Sequence, residues 1–310
     1  MIEWWKYRWG INNLSATILA EYQKKKIAAF WTQVKGLTNN YFGYDNLGAA
    51  SDRPYGGTGS SYADPSLTSF MGTLTYTLLD RYTLNLTTRA DGSSMVGKDH
   101  TWGIFPSISA TWDMKKESFL RNNKSISLLN LRTGYGRSGN LGGISSYLTL
   151  RQYIPVGLIS YNGTPTVTMG TLRNSNPDLR WETRSTFNIG TDLGLFNNRL
   201  LLTAEYYYSK TTDMLYEYDV PVPTFAFDKL LANIGSMSNS GFELGIGVVP
   251  ISKKDMELNV NVNMAWQKNK LLSLNGKHNG RQMTASDITP IGGMNGAGFH
   301  GGYNDIIYQI

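Results

Sequence analysis

Residues Leu258 to Gln267 alternate strictly between apolar and polar side chains. Leu, Val, Met and Trp occupy the even positions, whereas Asn, Ala and Gln occupy the odd ones. Because successive side chains of a β-strand point to opposite faces, this segment has one apolar and one polar face as a strand, whereas a helix would mix the two kinds. The pattern therefore predicts a sheet that separates two different environments.

The same alternation recurs along most of the chain. Further segments with this pattern are Leu14–Tyr22, Ile27–Val34, Phe70–Leu78, Tyr82–Asp91, Ile104–Trp112, Leu129–Tyr135, Phe187–Leu195, Leu200–Tyr208 and Phe242–Val248. Together they predict about ten strands of roughly 8–12 residues, which is the length of a tilted strand that crosses a bilayer.

The connections between these segments are of two kinds. Short turns rich in Asn and Asp are predicted at Leu79–Arg81, Phe196–Arg199 and Pro250–Asp255. Long connections rich in Gly, Ser, Asn and Pro are predicted at Gly36–Pro65, Gly136–Arg180 and Lys210–Asn239. Short turns on one side and long loops on the other are typical of outer-membrane barrels, whereas a soluble sandwich keeps most of its loops short. We therefore predict an all-β fold, an antiparallel transmembrane β-barrel portion.

The composition agrees with a wall between lipid and water. Charged residues make up only 17% of the chain and aromatic residues 12%, so Tyr, Trp, Thr and Asn must cover much of the surface. No run of about 18 apolar residues predicts a transmembrane helix. The first ten residues, which include three Trp, lack the apolar core of a signal peptide. The net charge of +6 comes from scattered Lys and Arg, so we expect no nucleic-acid binding.

Aromatic residues gather near the ends of several predicted strands. They are Trp102, Trp112, Trp181, Tyr206–Tyr208 and Trp266. Such residues could form girdles at the level of the lipid headgroups. The alternative is that large aromatic side chains simply suit strands. The alternation favours the girdles.

The sequence offers little support for catalysis. His100, His278 and His300 have no second His or Cys at the spacing of metal ligands, and no Cys is present. The Gly-rich stretches at 57–60 and 139–143 do not open a helix, as a phosphate-binding loop would. The serine elbow of the α/β-hydrolases is also missing. We expect no enzyme activity, no metal and no cofactor.

Several charged residues fall on the polar phase of predicted strands. They are Arg89, Arg132, Glu182, Arg184, Asp192, Glu205, Glu243 and Glu257. They could line a path for a ligand, or they could pair with one another and hold the wall together. We favour pairing, because charges away from bulk water persist mainly when they are paired.

An ordered set of short motifs spans roughly residues 12–275. The motifs are Tyr44–Ser51, Arg89–Ser94, Trp102–Ser107, Leu131–Gly136, Ser138–Asn140, Asn176–Glu182, Gly194–Leu200, Tyr206–Tyr208, Lys210–Asp213, Asn233–Met237 and Ser240–Leu244. In order and spacing the chain resembles the SusC/RagA family of TonB-linked outer-membrane transporters from Bacteroidetes-type bacteria. One departure is Met95, which stands where an Arg is common in the family.

The resemblance implies a plugged barrel of the 22-strand type in the cell outer membrane, surrounded by lipid. It implies import of large nutrients such as oligosaccharides or peptides, energy from the inner membrane through TonB, and a SusD-like lipoprotein that closes the outer mouth. The signal peptide, the TonB-contacting segment, the plug and the closing strands of the family are not found in this sequence. We therefore expect residues 1–310 to be a partial barrel domain, about ten strands that form an open and incomplete wall.

Two questions stay open at this point. A surface-exposed, β-rich binding or adhesive protein without transport is the alternative function, although no repeat of about 40 residues indicates a propeller. The ligand-contacting residues are also open. Candidates for ligand or lid contacts in the long loops are Tyr44, Tyr147, Tyr153, Tyr161, Phe225 and Phe227, with Tyr41 and Phe42 beside them. These aromatics could stack on sugars, but we favour packing against each other or against the lipoprotein.

Overall fold

The structure is a computed structural model that describes residues 2–39, 41, 43–54, 56–273, 276–278 and 281–283. Phe42 and His300 lie outside the described residues. The described strands are β1 (Ile2–Trp9), β2 (Asn12–Lys24), β3 (Ile27–Thr32), β4 (Thr58–Ala63), β5 (Ser66–Leu78), β6 (Tyr82–Ser93), β7 (Trp102–Asp113), β8 (Ile126–Asn140), β9 (Tyr153–Tyr161), β10 (Thr164–Thr171), β11 (Glu182–Leu195), β12 (Leu200–Thr212), β13 (Leu215–Asp219), β14 (Lys229–Asn233), β15 (Ser236–Lys253), β16 (Met256–Ser273), β17 (Gly276–His278) and β18 (Arg281–Met283).

Ten of these strands form one antiparallel sheet, which we call the wall. Its order is β1-β2-β5-β6-β7-β8-β11-β12-β15-β16, so each wall strand pairs with the next wall strand along the chain. Among the described strands none joins β1 to β16, and the sheet is open. The predicted open wall of about ten antiparallel strands is confirmed.

One predicted wall strand is wrong and another was missed. The segment predicted at Ile27–Val34 forms β3, which pairs with β4 in a separate two-stranded sheet. The wall instead gains β1, in which Trp5, Tyr7 and Trp9 alternate with two basic residues. This segment also alternates with a period of two, but it was not predicted as a strand because of its charged residues.

The register gives the wall two chemically different faces. On the polar face Thr75 donates a hydrogen bond to Asn85 at 2.8 Å, and Asn85 donates to Ser109 at 3.4 Å. On the apolar face the neighbouring row aligns Leu86 with Ile108, and these two side chains are 40% and 46% exposed. An apolar face of this extent is typical of a wall in contact with lipid.

Aromatic pairs lie towards both ends of the apolar face. Tyr82 stacks on Trp112 near the short turns, and Phe242 stacks on Trp266 towards the opposite end, each with ring centroids 6.0 Å apart. Trp181 does not belong to this face, since it is buried and its Nε1 donates to the carbonyl oxygen of Thr101. The girdle interpretation is therefore wrong for Trp181, and for the other residues it stays a prediction.

The short turns lie at one end of the wall, here called the short-turn end. Leu79 and Asp80, and likewise the three residues from Phe196 to Asn198, have positive φ values between 53° and 63°. Asn and Asp tolerate this left-handed conformation better than most residues, which explains their place in these turns.

Long connections lie at the other end, here called the long-connection end. They run over residues 25–65, 141–181 and 213–235, and each contains its own hairpin: β3–β4, β9–β10 and β13–β14. The three long connections predicted from the sequence are found at this end, but the alternation is incomplete, because the connection at 94–101 on the same end is short and that at 114–125 on the short-turn end is longer. The hairpins inside the long connections were not predicted. The wall strands also extend further than predicted, since β15 and β16 each reach 18 residues.

Helical structure in the described residues is limited to short segments. The α-helix α1 covers Ser118–Arg121, and short 3₁₀ helices cover Gly43–Ala49, Lys98–His100 and Met114–Lys116. None of the described helices has the length and apolar character that crossing a bilayer requires.

Candidate functional site

An open concavity of about 1140 Å³ lies at the long-connection end, against the polar face of the wall. Strands β5, β6 and β7 contribute Met71, Arg89 and Ser107, and the connection at 141–181 contributes Tyr147 and Arg173. Pockets for a drug-sized ligand usually measure about 300–1,000 Å³. This concavity therefore has room for an oligomeric ligand.

The wall side of the concavity carries a fixed arginine. The Nε of Arg89 donates to both carboxylate oxygens of Asp91, at 2.7 and 2.9 Å, and its Nη2 donates to the hydroxyl of Ser69 at 3.0 Å. Asp91 and Ser69 are buried, and Glu21 approaches Arg89 to 3.8 Å from β2. Arg89 is thereby held in one orientation with its charge balanced.

An apolar cluster supports the concavity from behind. Phe105 and Trp181 meet edge to face with ring centroids 5.4 Å apart, and Val96, Ile144 and Leu179 complete the buried cluster. Edge-to-face contact is a favourable geometry for two aromatic rings and adds about 0.5–1.5 kcal/mol beyond burial.

Gly139 makes room for this cluster. A Cβ atom at position 139 would lie 2.1 Å from Cζ of Phe105 and 2.8 Å from Cε3 of Trp181. No side chain can occupy that space, so the glycine is required for the two rings to pack as they do.

The motif Asn176–Glu182 makes hydrogen bonds and an ion pair to residues 213–235. Its Asn176 donates to the carbonyl oxygen of Leu231 at 2.9 Å, its Arg180 pairs with Asp213 at 2.6 Å, and its Glu182 accepts from the backbone N–H of Leu215 at 3.1 Å. The first two contacts join the connection at 141–181 to residues 213–235, and the third joins the first residue of β11 to the same segment. The motif therefore holds two long connections together.

The connection at 213–235 has a small core of its own. Tyr218 and Ile234 are buried there with Leu230, and the Tyr218 hydroxyl donates to the Ile234 carbonyl oxygen at 2.7 Å. Burial raises the pKa of Tyr218 far above its ordinary value. The phenol therefore stays neutral and acts as a hydrogen-bond donor.

Two asparagines complete the link between these connections. Asn174 donates to the carbonyl oxygens of Phe227 and Lys229, each at 2.7 Å. Asn233 donates to the carbonyl oxygens of Arg180 at 2.7 Å and Asp213 at 2.9 Å, and accepts from the Arg180 N–H at 2.8 Å. Both side-chain amides form hydrogen bonds to backbone groups. These bonds hold the connections at 141–181 and 213–235 together where no β-strand pairing is found between them in the described residues.

Tyr147 links the connection at 141–181 to the connection at 25–65, at the edge of the concavity. Its hydroxyl donates to Asp64 Oδ1 at 3.1 Å, and Lys24 pairs with Asp64 Oδ2 at 2.9 Å. The hydrogen bond from Lys24, followed by that from Tyr147, lowers the pKa of the Asp64 carboxyl. The bond to Asp64 in turn raises the pKa of Tyr147. Tyr147 also has a φ of 66°, an uncommon value for a bulky residue.

The six predicted loop aromatics occupy three kinds of position. Tyr147 alone among them lines the concavity. Tyr44, Tyr153 and Tyr161 are exposed on the long connections, at 85%, 58% and 65%. Phe225 and Phe227 are half-buried in the connection at 213–235, where Phe225 packs against the Tyr218 core. The role of all six as ligand or lid contacts stays a prediction.

The pairing of charges favoured from the sequence is found for Arg89, Arg132, Asp192 and Glu205, whereas Glu182, Arg184, Glu243 and Glu257 form no ion pair among the described residues. Arg132 bonds Asp192 at 3.1 Å and Glu205 at 2.6 Å. Arg184 instead donates to the hydroxyl of Ser209 at 3.1 Å. Glu257 is exposed and accepts from its neighbour Asn259.

Some residues of the site were not identified from the sequence. Asn174, Asn233 and Ser69 make the contacts described above, and Arg173 lines the concavity. Asn in a loop is so common that nothing marks the ones that bond distant backbone. Across the described part of the chain, no three His, Asp or Glu side chains converge as metal ligands.

Comparison with known proteins agrees with this geometry. The sequence profile of the family described as "TonB dependent receptor-like, beta-barrel" matches residues 5–298. The chain is 33% identical over 257 residues to TonB-dependent receptor P26 of Formosa agariphila. The aligned residues are 83% of this chain and 26% of that protein. It is 36% identical over 220 residues to TonB-dependent receptor SusC of Bacteroides thetaiotaomicron, 68% of the chain and 21% of that protein. The chain thus spans about a quarter of the length of these relatives.

Solved structures share the fold. The RagAB peptide transporter superposes with a TM-score of 0.77 at 24% identity, over 87% of this chain and 29% of that one. The outer-membrane transporter YddB from Escherichia coli gives a TM-score of 0.55 at 13% identity, over 92% of this chain and 36% of that one. At these identities the two structures support a common fold and nothing more. The family profile and the curated relatives support the same assignment. The chain belongs to the TonB-dependent receptor-like β-barrel family and is an outer-membrane protein of the SusC/RagA type.

Proposed function

We propose that residues 1–310 form part of the barrel domain of an active transporter, which imports large nutrients such as oligosaccharides or peptides across the outer membrane. The observation that carries this proposal is the rim at the long-connection end. There the connections at 141–181 and 213–235 are fastened to each other beside a concavity of about 1140 Å³. A rigid rim with room for an oligomer suits the capture of large ligands.

The partners of the transporter follow from the family. We propose that energy reaches it through TonB, that a SusD-like lipoprotein covers the long-connection end, and that lipid covers the apolar face. The name of the SusC relative and the peptide-importer description of RagAB support such an assembly without assigning a nutrient to this chain. Enzyme activity is not part of the proposal.

Import is tested with the full-length gene product in its own cell. We expect the protein in the outer-membrane fraction after density separation and an alkaline wash. Cells that lack it should fail to take up one class of labelled oligosaccharide or peptide, and loss of TonB should give the same defect. Recovery in the soluble fraction would contradict the proposal. Ligand binding at the surface without TonB-dependent uptake would favour the adhesive alternative.

The exposed loop aromatics provide a test of the covering partner. Tyr153 and Tyr161 lie at the two ends of β9 and are more than half exposed. We expect Tyr153→Ala with Tyr161→Ala to reduce co-purification of the lipoprotein, because exposed aromatics contribute strongly to interfaces. Phe119→Ala is the matched control, since Phe119 is 67% exposed in α1 at the short-turn end. Equal co-purification of all variants would remove these tyrosines from the interface.

A further inference from the structure

The concavity at the long-connection end has an excess of positive charge. Four cationic residues line it, Lys25, Arg89, Arg137 and Arg173, against the single carboxylate of Asp91. Asp91 is already occupied by two hydrogen bonds from Arg89. The other three cations form no ion pair with a carboxylate of the described residues. A ligand that enters the concavity therefore meets three cations without a carboxylate partner among the described residues.

Arg173 is held ready for such a ligand. Its Nη2 donates to Gln152 Oε1 at 2.8 Å and to the carbonyl oxygen of Ser146 at 3.2 Å, so the guanidinium is fixed by neutral groups. Its Nε is buried and has no acceptor among the described residues. Buried polar groups are bonded in the great majority of cases, and a guanidinium binds a carboxylate more strongly than a neutral oxygen. A buried Nε is closed to a ligand, so the donors that a carboxylate could meet are those of Nη1, which makes no hydrogen bond to the described residues.

Apolar side chains form another part of the lining, beside Ser, Gln and Tyr residues. Ile27 and Leu172 are 43% and 39% exposed, and Leu67, Met71 and Met95 present half-buried side chains to the same space. Phe105 and Trp181 are only 8% and 9% exposed because they pack against each other, so these two rings offer no face on which a sugar could stack. Tyr62, which also lines the concavity, is 56% exposed. Apolar side chains beside unpaired cations favour a ligand with both apolar and acidic groups.

We propose that the concavity binds acidic peptides, with Arg173 and Arg137 as partners of ligand carboxylates. The inference rests on the proposed import function and narrows its substrate to peptides that combine acidic and apolar side chains. Because the concavity is open to solvent, this attraction is screened by salt.

Binding is measured on purified full-length protein with its partners, in detergent at low ionic strength. The probes are a fluorescent peptide of alternating Glu and Leu, the same peptide with Gln for Glu, and an oligogalacturonate. We expect the Glu peptide to bind about tenfold more tightly than the Gln peptide, as charge-assisted bonds are about twice as strong as neutral ones. The difference should shrink as salt is added. Equal affinity of the two peptides, or tighter binding of the oligogalacturonate, would overturn the inference.

Variants locate the effect. Arg173→Gln and Arg137→Gln should each reduce the advantage of the Glu peptide several-fold and leave the Gln peptide unchanged, whereas Arg173→Lys should retain most of it. Arg137 is exposed, so its variant folds even if Arg173→Gln does not. Arg151→Gln is the control, because Arg151 is exposed on the connection at 141–181, to which Arg173 also belongs, but Arg151 does not line the concavity. An equal loss in Arg151→Gln would overturn the assignment.

The two proposals fail in different ways. If uptake and outer-membrane location hold while acidic peptides are not preferred, only the ligand inference is wrong. If the protein binds acidic peptides but the cell takes up nothing in a TonB-dependent manner, the import function is wrong and the binding site stands.

Discussion

Arg132 in β8 reaches across strand β11 to Glu205 in β12, with 2.6 Å between Nη1 and Oε2. Gly190 of β11 lies in the same row of the register, directly between the two residues. A Cβ atom at position 190 would lie 3.3 Å from Cζ of Arg132 and 3.1 Å from the Ala204 carbonyl oxygen. The absence of a side chain at Gly190 lets an arginine connect two strands that are not neighbours.

We predict that Gly190→Ala destabilises the wall. The new methyl group must displace either the guanidinium or the backbone of β12, and overpacking of this kind costs about 1–3 kcal/mol. Urea unfolding of the full-length protein in detergent measures the change. Gly72→Ala in β5 is the control, since its Cβ would meet no atom within 4 Å. It should be neutral or stabilising by up to about 1 kcal/mol. A Gly190→Ala variant as stable as Gly72→Ala would disprove the role of Gly190.

Arg132→Gln should cost more stability than Glu205→Gln. Loss of Arg132 leaves Asp192 and Glu205 without their cation, and Glu243 lies directly opposite Glu205 in the register. Loss of Glu205 instead removes one of two facing carboxylates. Because the Arg132 and Glu205 side chains are 34% and 23% exposed, we expect a coupling of only about 1 kcal/mol. A double-mutant cycle gives this value, and a coupling near zero would show that the bond does not stabilise the wall.

Glu117 should make the short-turn end sensitive to acid. It accepts hydrogen bonds from Tyr82 at 2.6 Å, Trp112 at 3.1 Å and Arg81 at 2.7 Å, and these bonds lower its pKa, that of Tyr82 most. A lowered pKa stabilises the folded state above the ordinary glutamate value of about 4.3, and this stability is lost as the pH falls through the lowered pKa. Wild type should therefore exceed Glu117→Gln in stability at neutral pH, and the difference should close in acid.

Thermal unfolding between neutral pH and roughly pH 3 measures the Glu117 effect. The exposed Glu257 provides the control, and Glu257→Gln should show little dependence on pH. A difference between wild type and Glu117→Gln that persists unchanged in acid would rule out the charge as its origin.

Asn233→Ala should loosen the rim. The buried Asn233 amide bonds three backbone groups of Arg180 and Asp213, and each group left without a partner costs about 1–3 kcal/mol. We expect faster amide hydrogen exchange in residues 174–181 and 213–235, with the wall strands unchanged. Asn259→Ala is the control, because Asn259 is exposed and bonds only its neighbour Glu257 among the described contacts. Exchange that rises equally in the wall would indicate global rather than local loosening.

The wall could be predicted from the sequence because its pattern is local. Alternation such as that of Leu258–Gln267 reports which face each side chain occupies, whatever strand lies beside it. The turns were equally legible, since Asp80 and Asn197 have the positive φ values that their residue types tolerate. Ile27–Val34 was misassigned because a hairpin strand outside the wall obeys the same period of two as a wall strand.

The candidate site was much less predictable, for a physical reason. Its contacts join residues far apart in the chain, such as Trp181 with Thr101 and Asn174 with Phe227. A contact between two different long connections leaves no periodic pattern in the sequence of either one. Trp181 shows the difference, since its position near a strand predicted a lipid-facing ring, whereas packing on Phe105 buries it.

The sequential order of the wall also has a kinetic meaning. Every wall strand pairs with its predecessor along the chain, so the sheet can grow by one hairpin at a time. The entropy lost on closing a loop rises only with the logarithm of its length, by about 0.6 kcal/mol per doubling. Closing a connection of about 40 residues therefore costs about 2 kcal/mol more than closing a three-residue turn, but a further change in the length of a connection that is already long adds little. Loop sequence at the long-connection end can thus diverge, and ligand preference with it, at small cost to the rate at which the wall assembles.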